Sequence, residues 1–202
     1  MNALLAFARG IDRLNDRLAA VAAWAVLLSC LISATNAVIR YGLDISSNAF
    51  LEIQWYLFAG CVMLGAAQVL RLNEHVRVDL VYSRLSGRSK VWVDTFGLLV
   101  FLLPVIFYAA WLSWQFFVVK LTTGMRPQDS VQALGWLGYT WKLLASGEVS
   151  GNAGGLIRWP AAALLPLGFT LLGLQGVSEL IKRLAWLMHR LEMDTHYERP
   201  LQ

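Results

Sequence analysis

Charge is scarce in this sequence. Asp, Glu, Lys and Arg make up 15% of its 202 residues, against roughly 25% in soluble domains. What charge there is comes in bursts, and the stretches 18–39, 53–70, 95–119 and 159–178 hold none. Each is long enough to cross about 30 Å of hydrocarbon as a helix. A soluble bundle of four buried helices would normally show a polar, charged face on each, and these runs hold no charge. The pattern therefore predicts an all-α integral membrane protein with four transmembrane helices.

Other shortages narrow the function. There are two cysteines, Cys30 and Cys61, in separate spans, and they read as small apolar side chains rather than a disulfide or metal pair. The three histidines, His75, His189 and His196, all lie outside the spans, which argues against a haem held between helices. No glycine-rich phosphate loop and no set of nucleophile, base and orienting residue is present, so an enzyme is not expected. No span centre carries an ionisable residue, whereas secondary transporters place ion and substrate sites near the midplane. No cofactor is expected.

The basic residues that remain are unevenly placed. Twelve precede the first span, lie between the second and third, or follow the fourth; five, Arg40, Lys120, Arg126, Lys142 and Arg158, lie on the other side. The positive-inside rule then puts both termini in the cytoplasm. The net charge of +4 reads as orientation and contact with anionic lipid, not as a nucleic-acid footprint.

In chain order, residues 1–17 put Leu4, Phe7, Ile11 and Leu14 on one face and Arg9, Asp12, Arg13 and Asp16 on the other. That pattern suits an amphipathic helix on the cytoplasmic surface, or a solvated extension of the first span. The charges and the length of the following apolar run argue against a cleavable signal. The first span, 18–40, carries Ser29, Ser33, Asn36 and Arg40 at helical spacing, for packing within the subunit or against a partner. Arg40 is placed to reach the headgroups or to pair with Asp44 or Glu52. The second span, 53–70, opens at Glu52 and Trp55 and has a stripe of Gln54, Phe58, Cys61, Gly65 and Gln68 that also suggests helix packing.

The loop 71–94 contains a segment, 76–90, compatible with a short interfacial helix ended by Gly87. In the third span, 95–119, Gly97 and Pro104 are candidate bends. The outer connection, 120–158, holds an aromatic stretch, 134–144, suited to a surface helix on the leaflet or against a periplasmic partner. The fourth span, 159–180, should kink at Pro166, pack closely at Gly168, Gly173 and Gly176, and use Gln175 for an interhelical hydrogen bond. A helical cytoplasmic tail, 181–202, follows.

Two blocks carry a family resemblance. The first runs from the acidic residue at the second span through QWYLF and LGAA to the N-x-H-V-R-V-D that contains His75, Arg77 and Asp79. The second is GEVSGNAGGLIRWPAAALLPLGFTLLGLQGVSELIKR, residues 147–183. Together they resemble the small permease subunit (DctQ type) of tripartite ATP-independent periplasmic (TRAP) transporters. The resemblance implies a subunit of the bacterial inner membrane, partnered by a large permease subunit, a periplasmic substrate-binding protein and membrane lipids, with sodium coupling in the large subunit. It favours a structural or subunit-docking role for His75, Arg77 and Asp79, since one histidine and one carboxylate make a poor metal site. Ser33, Asn36, Arg40, Glu52 and Trp55 complete the candidate interface or structural residues. The second block is most similar to a branch associated with 2-oxo acids and related carboxylates. The pattern alone also allows an assembly or anchor subunit of a respiratory or signalling complex, or a small exporter using Glu52.

Overall fold

The computed structural model describes residues 2–45, 47–74, 82 and 84–192. It is all-helical, with 81% of residues in helices and no strands among the described residues. We number the helices α1 (Asn2–Leu43), α2 (Asn48–Leu72), α3 (Gly87–Thr122), α4 (Val131–Ala145) and α5 (Trp159–Leu187). Four of them, α1, α2, α3 and α5, are long and apolar enough to cross a membrane, as expected. An even number of crossings returns the chain to its starting side. We call that side inner and the opposite side outer, following the charge bias.

Two boundaries differ from expectation. α1 does not turn near residue 17: it is one helix of 42 residues, roughly 63 Å long at about 1.5 Å per residue. Its first turns project past the hydrocarbon as a continuation of the span. They are not merely solvated, because Ala8, Ile11 and Asn15 are buried. Gly87 opens α3 rather than closing an interfacial helix. The reason is the residue before it: Ser86, in extended backbone, accepts a hydrogen bond from the Ser89 amide at 3.3 Å and caps the new helix. Most of the expected helix at 76–90 lies outside the described residues.

α5 is the central element and packs on α1, α2 and α3; α1 and α2 form a helical hairpin beside it, and α3 rests on α5. Small side chains set these approaches. On α1, Ala8, Asn15, Ala22 and Asn36 are buried and Ser29 is half-buried, a strict seven-residue spacing. Such a repeat keeps one seam facing its partners through a left-handed supercoil. Ser33 and Arg40 fall off this seam and are exposed, so the polar stripe on α1 is split. On α2 the buried face is Glu52, Gly60, Leu64 and Ala67. The expected stripe lies on the flank instead, with Phe58 68% exposed. Ala22, Leu64, Ala67 and Leu171 form the apolar centre where α1, α2 and α5 meet.

The two prolines act differently. In α3, residues Leu98–Leu102 form a π-helical turn between Gly97 and Pro104, and the Leu103 amide donates to the Leu98 carbonyl. Pro104 has no amide to continue the ordinary ladder, and the wider turn absorbs the mismatch. In α5 the helix runs on through the buried Pro166.

The glycines expected to permit close packing do so at two points above all. A Cβ on Gly168 would lie 2.9 Å from the Met63 carbonyl oxygen, and one on Gly176 would lie 2.9 Å from Leu102 Cδ2. Gly168→Leu is expected to push α5 off α2 and destabilise the bundle by roughly 1–3 kcal/mol. Gly65→Ala, with nothing within 4 Å of the new atom, should hold or raise stability by up to about 1 kcal/mol. Thermal unfolding of the purified variants in detergent checks the pair; equal losses would refute the packing assignment.

Candidate functional site

Polar side chains gather at the two ends of the bundle, and each gathering ties segments far apart in sequence. At the outer end the chain leaves α3 and builds an ordered cap. Ser130 accepts from the Ala133 amide at 3.2 Å and starts α4, and Asp129 accepts from the Arg126 amide at 2.9 Å while pairing with Lys142. Gly135, at φ +68°, breaks the helical path within α4, a conformation that suits glycine. After α4, residues 148–158 fold back on themselves: Ser150 donates to the Leu156 carbonyl at 2.9 Å and the Arg158 amide to the Glu148 carbonyl at 2.7 Å. The Glu148 carboxylate bridges Lys120 at the end of α3 and Arg158 at the start of α5.

Glu52 holds this turn to α2. Its carboxylate accepts from the Ser150 hydroxyl, from Asn152 Nδ2 at 2.7 Å and from the Leu156 amide at 2.7 Å, and the residue is only 3% exposed. Asn48 donates to the Ala153 carbonyl at 3.0 Å, and Tyr56 to the Ile157 carbonyl at 3.1 Å. A carboxylate removed from water needs such donors to stay charged. The pairing expected between Glu52 and Arg40 is absent, and among the described residues Arg40 makes no ion pair. Three donors occupy both Glu52 oxygens, which makes this side chain a clamp.

The inner clamp is larger. Gln175 and Asn15, both 0% exposed, face each other, with Asn15 Nδ2 donating to Gln175 Oε1 at 2.7 Å. Gln175 Nε2 in turn donates to Asp12 at 2.9 Å and to Glu179 at 3.2 Å. Ser178 donates to Asp12 at 3.0 Å, and Lys182 joins Asp12 to Glu179. Arg183 pairs with Glu179 at 2.7 Å and reaches Asp94 of α3 at 3.6 Å. Arg71 of α2 binds Asp16 and donates to the Asp12 carbonyl at 3.2 Å. One network thus joins α1, α2, α3 and α5.

The sequence reading found the interhelical role of Gln175 but took Asp12 and Lys182 for solvated charge. The available signal was spacing: Gln175, Ser178, Glu179 and Lys182 share one face of α5, and Asp12 and Asn15 share one face of α1. Of the residues singled out, Asn36 and Glu52 are buried, while Ser33, Arg40 and Trp55 are exposed. No hydrogen bond or ion pair joins any two of these five. His75, Arg77 and Asp79 lie outside the described residues. Among the described residues no group of three or more His, Cys, Asp or Glu is arranged to hold a metal.

With these charges committed to clamps, what the bundle offers outward is apolar. Among the spanning helices α3 rests on α5, and it exposes Trp92, Phe96, Phe101, Phe107, Trp111 and Trp114. α4 has no buried residue and exposes Trp136, Leu137 and Trp141. A family model for the tripartite ATP-independent periplasmic transporters, DctQ component, matches residues 29–185. The chain belongs to the DctQ family. No curated protein and no solved structure matches it. DctQ proteins are membrane components of a transporter rather than enzymes. The matched segment contains the whole outer clamp of this DctQ chain but only the α2, α3 and α5 side of its inner clamp, since Asp12 and Asn15 precede it.

Glu52→Gln keeps the shape of the side chain but trades one acceptor oxygen for a donor. We expect the turn 148–158 to loosen by about 1–3 kcal/mol, read as faster amide hydrogen exchange there with α1 unchanged; unchanged exchange in the turn would sink the clamp assignment. The outer cap should also respond to acid. The hydrogen bond from Lys120, aided by Arg158, holds the Glu148 carboxyl below its ordinary value against the opposing effect of burial. Lys142 and the Arg126 amide do the same for Asp129. A depressed folded value means stability that is complete above the unfolded values, about 4.3 for Glu and 3.9 for Asp, and lost as pH falls through the folded ones. Protection in 126–158, corrected for intrinsic exchange, should hold from pH 7 to about 5 and fall below about 4.

Proposed function

We propose that this chain is the small subunit that braces the large permease subunit of a TRAP transporter and helps dock the periplasmic substrate-binding protein. The uptake it serves is sodium-coupled transport of an organic acid anion, a 2-oxo acid or related carboxylate. The observation that carries the reading is the family match over residues 29–185 in a chain of four spanning helices. The clamp chemistry supports it. A carrier must release and rebind charge during its cycle, whereas the buried Glu52, Glu179 and Arg183 are each consumed by partners within the chain. Sodium and substrate sites then belong to the large subunit.

The basic residues at the inner end support an orientation with both termini in the cytoplasm of a bacterial inner membrane. The outer clamp and α4 then face the periplasm, where a binding protein arrives. The exposed aromatic face of α3 suits a stationary partner: helices tied at both ends resist sliding while a moving domain shifts against them.

The tagged chain, purified from its native membrane in mild detergent, is expected to bring down a much longer multi-span protein in fixed stoichiometry, identified by mass spectrometry. Recovery of the chain alone with sodium-driven uptake in vesicles, or within a cofactor-bearing complex, would overturn the proposal.

A further inference from the structure

α2 and α3 both lean on α5, and toward the outer end they leave a cavity of about 410 Å³ between them. Its body is apolar, formed by Ala59 of α2, Phe116 of α3 and Ala161, Ala162 and Leu165 of α5. Its mouth is polar and lies where the helices end, at Glu52, Lys120, Ser150, Asn152 and Arg158. The Lys120 ammonium sits 5.3 Å from the centre of the Phe116 ring, so cation and apolar wall adjoin directly.

Two cations, Lys120 and Arg158, and two carboxylates, Glu52 and Glu148, meet at the mouth, and it is the spare donors rather than net charge that distinguish it. Lys120 and Arg158 share one carboxylate, that of Glu148. Arg158 uses a single Nη1 contact on it and keeps a half-exposed side chain, so most of its N–H groups remain open to another acceptor. The nearby Glu52 oxygens are already taken by Ser150, Asn152 and Leu156. An acceptor arriving here meets the open N–H groups of Arg158 in a mouth whose two cations and two carboxylates carry no net charge.

We propose that this cleft binds a phospholipid of the outer leaflet, with an acyl chain between α2 and α3 and the phosphate at Lys120 and Arg158. A soluble anion would leave the apolar body unfilled. A spanning partner helix, about 10 Å across, needs the full length of a groove, whereas this cavity is confined to one end and the inner end holds a separate one bounded by Asp94 and Arg183. The lipid completes the packing that α3, resting on α5 alone among the spanning helices, lacks on its α2 side. This site is independent of which subunit the chain braces.

The test is native mass spectrometry of the full chain, stripped of lipid in detergent and titrated with phosphatidylglycerol. One saturable lipid is expected on the wild type. Ala161→Phe fills the cavity body without touching the clamp and should abolish that binding; Ala59→Leu fills it from the opposite wall and serves if the first variant unfolds, with far-ultraviolet circular dichroism as the folding check. Arg158→Gln should weaken binding about fivefold. Glycerol phosphate, the headgroup chemistry without chains, should not bind. Saturable binding that survives both cavity-filling variants, no saturable binding to the wild type, or glycerol phosphate binding as well as the lipid would each overturn the assignment, the last in favour of a soluble-anion site.

Discussion

Everything at the inner half of this bundle depends on an amide that water cannot reach. Gln175 is fully buried, and its four hydrogen-bonding positions have to be met by protein. Asn15, Asp12 and Glu179 meet three of them, and in doing so they fix the rotation of α5 about its axis and its height beside α1. Once that is set, Gly168 faces Met63 on α2 and Gly176 faces Leu102 and Leu103 on α3. Interhelical hydrogen bonds between neutral groups in membranes average only about 0.6 kcal/mol each. Their value here is in specifying one register, because any slip leaves a buried polar group without a partner.

The outer end repeats the logic with different chemistry. There the connection between α3 and α5 is long, and long connections are normally free to move. Glu52 removes that freedom by accepting three hydrogen bonds from one short turn, and Glu148 ties the feet of the same turn to the ends of both helices. The spanning helices are therefore held near both faces, with small side chains and apolar contact between.

How much of this the sequence disclosed follows from the range of each interaction. The count of spans, the empty span centres and the close approach at Gly168 and Gly176 are written in local composition, and they were legible. Gln175 was legible because a lone polar residue in an apolar run has few other uses. Asp12 and Lys182 were not, because a charge beside other charges looks solvated until the opposing helix is placed. For Glu52 the sequence offered Arg40, close by, as one of several possible pairings, whereas its partners lie about a hundred residues away. The start of α3 was missed because a serine cap outweighed the charges that follow it. The stripe on α1 was half legible, since Ser29 and Asn36 share the packed seam with Ala8, Asn15 and Ala22 while Ser33 and Arg40 do not, and on α2 small residues at Gly60 and Ala67 moved the buried face off the expected stripe.

The order in which the chain is made gives the inner clamp a further meaning. Asn15 and Gln175 are separated by 160 positions, and Asp12 and Lys182 by 170. α1 therefore enters the bilayer early, carrying an acid and an amide whose partners have yet to be synthesised. The inner clamp can therefore close only after the last spanning helix is made, and a chain cut short before α5 leaves Asp12 and Asn15 without these partners.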